Sequence, residues 1–157
     1  MYSRRPKRVF GLSYTGFHRY SLTFCCRNRE RCFTQPDVVR HLLLKIRHIA
    51  EQEHFALLAY CFMPDHLHLV IEGTQEGADL HRFVNLVKQS SGYWYSQQFG
   101  RTLWQRGYYE HIIRDEESTV RMLRYVLENP IRAGLANDTV TYPYAGSDVF
   151  PVTELYR

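Results

Sequence analysis

A chain of 157 residues with 45% hydrophobic and 23% charged side chains is long enough to bury one core and too apolar to be disordered or fibrous. Twenty Lys and Arg against sixteen Asp and Glu leave a formal charge of +4, which admits a polyanionic partner without requiring one. Cys25, Cys26, Cys32 and Cys61 form neither a C-x-x-C pair nor a disulfide framework, and no apolar run reaches about eighteen residues. One soluble domain over 1–157 with free thiols in a reducing cytoplasm is expected.

Residues 1–15 hold a basic arm, SRRPKR at Ser3 to Arg8. RYSLTFCCRN, Arg19 to Asn28, carries Tyr20, Leu22, Phe24 and Cys26 at period two, which predicts a strand. PDVVRHLLLKIRHIAEQEH follows, with Val39, Leu42, Leu43, Ile46, Ile49 and Ala50 at helical intervals and Pro36 and Asp37 at its opening. FALLAYCFM, Phe55 to Met63, predicts a second strand, Pro64 and Asp65 a tight turn, and HLHLVIE a third strand antiparallel to the second. Leu80, Phe83, Val84 and Val87 set the stripe of a second helix, which Gly100 would stop and whose second half Gly92 weakens. TLWQRGYYEHIIR suits a fourth strand or an extended connection. DEESTVRMLRYVLEN predicts a last helix with acidic residues in its first turn, ended by Pro130, and the tail 136–157 shows no clear period. This order predicts a ferredoxin-like (RRM-like) α+β sandwich with a C-terminal helical addition.

Alternation along the third strand points His66, His68, Val70 and Glu72 one way and Leu67, Leu69 and Ile71 the other. Two imidazoles about 7 Å apart on one face can converge on one ion, although half-buried, hydrogen-bonded histidines without an ion are the ordinary alternative. Glu72 is a weak third ligand, about 13 Å further along the strand. On the last helix Val120, Leu123 and Leu127 form the apolar stripe, which leaves Tyr125 and Asn129 together on another side at i, i+4. A phenol with a pKa near ~10 is a poor nucleophile and needs a polarised target. A divalent ion held by imidazoles and an amide oxygen would supply one for a phosphodiester. The chemistry this set suits is phosphoryl transfer to tyrosine. No phosphate-binding G-x-x-x-x-G-K-[ST] loop occurs, so no nucleotide cofactor is expected.

MPDHLHLVIE resembles the HUH motif of two histidines around a hydrophobic residue. LWQRGYYEHIIRDEES followed by LRYVLENPIRAGLA resembles the REP-associated tyrosine transposases, relatives of the single-tyrosine HUH transposases of small insertion sequences. The resemblance spans Tyr20 to Leu135. It implies a ferredoxin-like fold, His66 and His68 as ligands of Mg²⁺ or Mn²⁺, Asn129 as a third ligand and Tyr125 as nucleophile. It implies attack on single-stranded DNA beside an imperfect palindromic hairpin, leaving a 5′-phosphotyrosine and a free 3′-hydroxyl. Asp65 stands where many relatives have Asn. A monomer is expected, with a homodimer that exchanges the tyrosine helix as the alternative.

For such a substrate Arg5, Lys7, Arg8, Arg82, Lys88, Arg106 and Arg114 are candidate DNA contacts, and Tyr93, Trp94, Tyr95, Trp104, Tyr108 and Tyr109 candidate stacking platforms. Two other readings stay open. One is a catalytically idle binder of hairpin or single-stranded DNA, the other a metal-dependent phosphodiesterase in which water attacks and Tyr125 only packs.

Overall fold

The computed structural model describes residues 14–157, so Arg5, Lys7 and Arg8 of the basic arm lie outside the described residues. The elements are β1 (Arg19–Cys25), α1 (Pro36–Gln52), β2 (Phe55–Met63), β3 (His66–Gly73), α2 (Leu80–Phe99), β4 (Tyr109–Ile113), α3 (Glu116–Leu127), α4 (Asn129–Arg132) and β5 (Ala145–Gly146). The strands form one sheet in the order β4-β1-β3-β2-β5, and every pairing is antiparallel. Without β5 this is the ferredoxin-like α+β arrangement that the element order predicts.

The period-two patterns decide which face each helix covers. Tyr20, Leu22 and Phe24 of β1 join Leu67, Leu69 and Ile71 of β3 in a core closed by Leu42 and Ile46 of α1 and Phe83 and Val87 of α2. Each such side chain contributes about 1.5–3 kcal/mol by burial. The opposite face carries a smaller core, in which Leu123, Val126 and Leu127 of α3 meet Leu58, Ala59, Cys61 and Met63 of β2 and Val70 of β3. A register shift between Leu57 and Ala59 makes this second core possible. The extra residue of the bulge lets Leu58 and Ala59 both turn toward α3, while Leu57 and Phe62 remain in the first core.

Several boundaries differ from the sequence expectation. β1 stops at Cys25, because Arg27–Arg29 forms a 3₁₀ turn with Asn28 and Arg29 at φ 55° and 54°. α2 runs unbroken through Gly92 to Phe99 and ends, as predicted, at left-handed Gly100 (φ 67°). Pro130 does not end helical structure: α3 closes at Leu127, and Pro130 sits in the first turn of α4, where a missing N–H costs nothing. Val120 is only half-buried, and Thr119 takes its place in the buried stripe of α3.

The tail also gains structure that no periodicity announced. Ala145 and Gly146 pair with Cys61 and Tyr60 as a fifth, edge strand. The phenol of Tyr142 donates to the carbonyl of Phe62 at 2.6 Å, and the Phe62 amide donates to the Tyr144 carbonyl at 2.8 Å. Arg47 pairs with Asp148 at 2.7 Å. All four cysteines are buried and free. Among the described residues no helix is long and apolar enough to cross a membrane.

Candidate active site

The two histidines of β3 share the face under α3, as alternation requires, with ring centroids 4.8 Å apart and planes perpendicular. Each ring is oriented through Nδ1. His66 Nδ1 lies 2.6 Å from Oδ1 of Asp65, and His68 Nδ1 lies 3.0 Å from the hydroxyl of Thr23, its cross-strand partner on β1. A carboxylate only accepts, so His66 donates its Nδ1–H there and keeps the Nε2 lone pair free. His68 does the same when it donates to Thr23. Metal-ligating imidazoles are usually held this way at their other nitrogen.

Electrostatics keep His68 in its neutral form. Burial first, then the neighbouring His66 and the charges of Arg132 and Arg29, push the His68 pKa down to about 3, so its ring stays neutral. Burial works to raise the Asp65 carboxyl, but the hydrogen bond from His66 and the charge of Arg29, at 3.0 Å, leave it below the ordinary carboxylate range. Asp65 therefore remains an acceptor for His66.

Tyr125 projects from α3 toward the same place. Its ring centroid lies 6.5 Å from that of His68, edge to face, and the residue is 54% exposed. On the other side the Arg132 guanidinium lies 4.2 Å over the Tyr125 ring and donates to the Tyr125 carbonyl. Asn129 stands half-buried one turn further on, as the first residue of α4. Among the described residues no cluster of three His, Cys, Asp or Glu side chains is placed to hold a metal ion. His66 and His68 alone supply two imidazole donors there, so an ion at this place would need further ligands from an amide, water or substrate oxygen.

The sequence profile of the family described as "Transposase IS200 like" matches residues 16–129, a span that includes His66, His68, Tyr125 and Asn129. The chain belongs to that family of transposases. A Haemophilus influenzae protein with the provisional name REP-associated tyrosine transposase is 25% identical to this IS200-like transposase over 87% of the chain and 84% of its own length. The Escherichia coli REP-associated tyrosine transposase is 22% identical over 76% of the chain and 68% of its own length. A solved REP-associated tyrosine transposase, bound to a REP hairpin, superposes with a TM-score of 0.71 at 21% identity, covering 87% of this chain and 81% of that one. At that identity the superposition speaks for the shared fold.

The remaining candidate residues of this transposase fall in varied places. Arg82 is exposed on the first turn of α2 and pairs with Glu53 at 2.9 Å. The ammonium of Lys88 is turned inward, donating to the carbonyls of Gln105 and Gly107 at 3.0 and 2.6 Å. Burial lowers its pKa, and the two hydrogen bonds brace the 105–107 loop. Arg106 and Arg114 are exposed. Of the six aromatic platforms only Tyr93 is well exposed, at 69%. Tyr95 and Trp104 are core residues, Tyr108 packs on Phe24, Trp94 stacks on His41 with centroids 4.4 Å apart, and Tyr109 is half-buried.

Thr23 touches His68, Arg132 touches Tyr125 and His111 lines a cleft with Tyr125, three neighbours of the candidate residues that the sequence reading did not single out. Period two along YYEHIIR puts His111 on the face of Tyr109 and Ile113, a signal visible once that stretch is known to be a strand.

Proposed function

We propose that this transposase is a metal-dependent single-stranded DNA endonuclease and strand transferase that acts at hairpin DNA through a 5′-phosphotyrosine link to Tyr125. The observation that carries the reading is the approach of the Tyr125 ring to within 6.5 Å of His68 on the same chain, beside two imidazoles each anchored at Nδ1. Hairpin DNA as substrate rests on the solved relative bound to a REP hairpin.

His66 and His68 would hold Mg²⁺ or Mn²⁺ with the amide of Asn129, and the ion would supply charge neutralisation at the scissile phosphate. Asp65 and Thr23 keep the imidazoles in the ligating tautomer. Arg132 fixes the Tyr125 ring and adds positive charge beside it. The Tyr125 Oη–P bond forms as the P–O3′ bond breaks, so the 3′-oxygen leaves as a hydroxyl. Attack by a 3′-hydroxyl on the phosphotyrosine reverses the step and joins strands with no nucleotide input. The phenol and imidazoles belong to one chain, which favours a monomer as the working unit.

The test is incubation of the protein with Mg²⁺ or Mn²⁺ and labelled hairpin oligonucleotides carrying single-stranded flanks, followed by a denaturing gel. A protein–DNA adduct absent from Tyr125→Phe is expected. Cleavage without adduct would replace the reading with a water-driven phosphodiesterase, and retarded but uncut probe with an idle binder.

A further inference from the structure

The helix that carries Tyr125 covers only half of its face of the sheet. α3 packs on β2 and β3 and reaches Ile113 at the end of β4, leaving over the rest of β1 and β4 a shallow trough in which Ser21, Thr23 and Tyr109 are half-buried and His111 is exposed. The trough floor is Ser21 and Thr23 of β1 with Tyr109 and His111 of β4, paired Ser21 to His111 and Thr23 to Tyr109. Its wall is α3, and a cleft of about 320 Å³ there is lined by His111, Ile113, Ser118, Arg121, Met122 and Tyr125. Arg19 closes one end, bound to Glu72 at 2.7 Å and Glu116 at 2.6 Å.

Tyr125 thus borders two things at once: the imidazole pair on β3 and the cleft that His111 shares. Thr23 lies directly between His68 and Tyr109 in the strand ladder, and His111 is one same-face step from that row. The backbones of His68 and His111 are therefore about 10 Å apart across the sheet and about 7 Å along it. A phosphate seated over β1 at Thr23 would have the His66–His68 pair on one side and the His111 ring within side-chain reach on the other. His111 is exposed, and no hydrogen bond or ion pair among the described residues occupies its ring.

Resting on the reading of Tyr125 as nucleophile, we infer that His111 is a further catalytic residue, the proton donor to the departing 3′-oxygen. As the Oη–P bond forms and the P–O3′ bond breaks, the electron pair left on O3′ takes a proton from the imidazolium form of His111, which becomes neutral, and the phenol proton passes to solvent. On rejoining, neutral His111 takes the proton from the attacking 3′-hydroxyl, and solvent returns one to the phenol. Proton transfer by a placed side chain contributes about 10²–10⁴-fold to such steps. The charged and titratable groups around His111 are Tyr109 on its own strand, Arg121 and Tyr125 from α3, and Arg19 at the end of β1, whose two carboxylate partners it holds.

The experiment compares hairpin oligonucleotides whose scissile 3′-bridging atom is oxygen or sulfur, at one fixed ion concentration. A thiolate departs without protonation, so it relieves the need for an acid. His111→Gln is expected to slow adduct formation on the oxygen substrate about 100-fold or more. On the sulfur substrate it should react within a few-fold of the unaltered protein, and hairpin affinity by fluorescence anisotropy should be unchanged. Equal loss on both substrates would make His111 a positioning residue and overturn the assignment, as would no loss on either. If the unaltered protein forms no adduct with either substrate, Tyr125 nucleophilicity itself fails and the role of His111 goes with it.

Discussion

The Arg132 guanidinium lies 4.2 Å above the Tyr125 ring and is bonded to that tyrosine's own carbonyl, so the turn after α3 grips the residue seven positions before it. The same arginine stands 3.8 Å from Glu128, whose carboxylate accepts from the Tyr156 phenol at 2.9 Å. A 54% exposed tyrosine thereby has its ring held where it faces His68.

Removing this grip should cost rate more than fold. A cation–π contact at a partly exposed site is worth about 0.5–2 kcal/mol, so Arg132→Ala is expected to slow Tyr125 adduct formation by about tenfold. Arg132→Lys should fall between, since an ammonium stacks less well than a planar guanidinium. Single-turnover gels with both variants would read this, and unchanged rates would show that Tyr125 needs no clamp.

Thr23 is the partner that orients His68, at 3.0 Å from Nδ1. Thr23→Val keeps the strand shape and removes the hydroxyl. Loss of such a partner typically costs about 10–100-fold in ion affinity. The ion concentration needed for half-maximal cleavage should rise by that factor, with hairpin binding in the absence of ion unaltered. An unmoved half-maximal concentration would count against an ion at His68.

The helix bearing Tyr125 starts at Asp115, whose carboxylate accepts from the Ser118 amide at 2.7 Å. That bond, reinforced by the Ser118 hydroxyl, holds the Asp115 pKa below its ordinary value of 3.8. A depressed carboxyl contributes stability that is fully present above the unfolded pKa and is lost as pH falls through the folded one. Asp115→Asn keeps a cap without the charge. Between roughly pH 5 and pH 2 its melting temperature should therefore fall less steeply than that of the unaltered protein. Parallel curves would refute the linkage.

Gly73 ends β3 where a second segment crosses it. A Cβ built there would sit 1.9 Å from the Gly16 carbonyl oxygen, a backbone atom that no side-chain rotation can move aside. Gly73→Ala should destabilise the fold by about 2–4 kcal/mol through overpacking, read as a lower urea midpoint. Gly77→Ala, with open space around its Cβ, is the control expected to change little.

The sequence by itself determined the faces. Period two in HLHLVIE put both histidines opposite Leu67, Leu69 and Ile71, and helical spacing left Tyr125 off the apolar stripe, because local periodicity is a property of the backbone alone. The turn at Pro64 and Asp65, the stop at Gly100 and the acidic opening of α3 were legible for the same reason.

Only the tertiary structure decided what each face meets. Thr23 became the partner of His68 through strand register, a relation between residues 45 positions apart that no short window contains. Lys88 turned inward because the 105–107 loop offers it carbonyls, and Tyr95 and Trp104 became core because neighbouring elements closed over them. The tail acquired a strand because β2 had a free edge to pair. His111 lines a cleft with Tyr125 because α3 lies over β2, β3 and Ile113 at the end of β4 and stops short of the rest of that strand. Sequence pattern fixes direction within an element; contact between elements is set by packing, and packing is where the phenol, the imidazoles and the open trough come together.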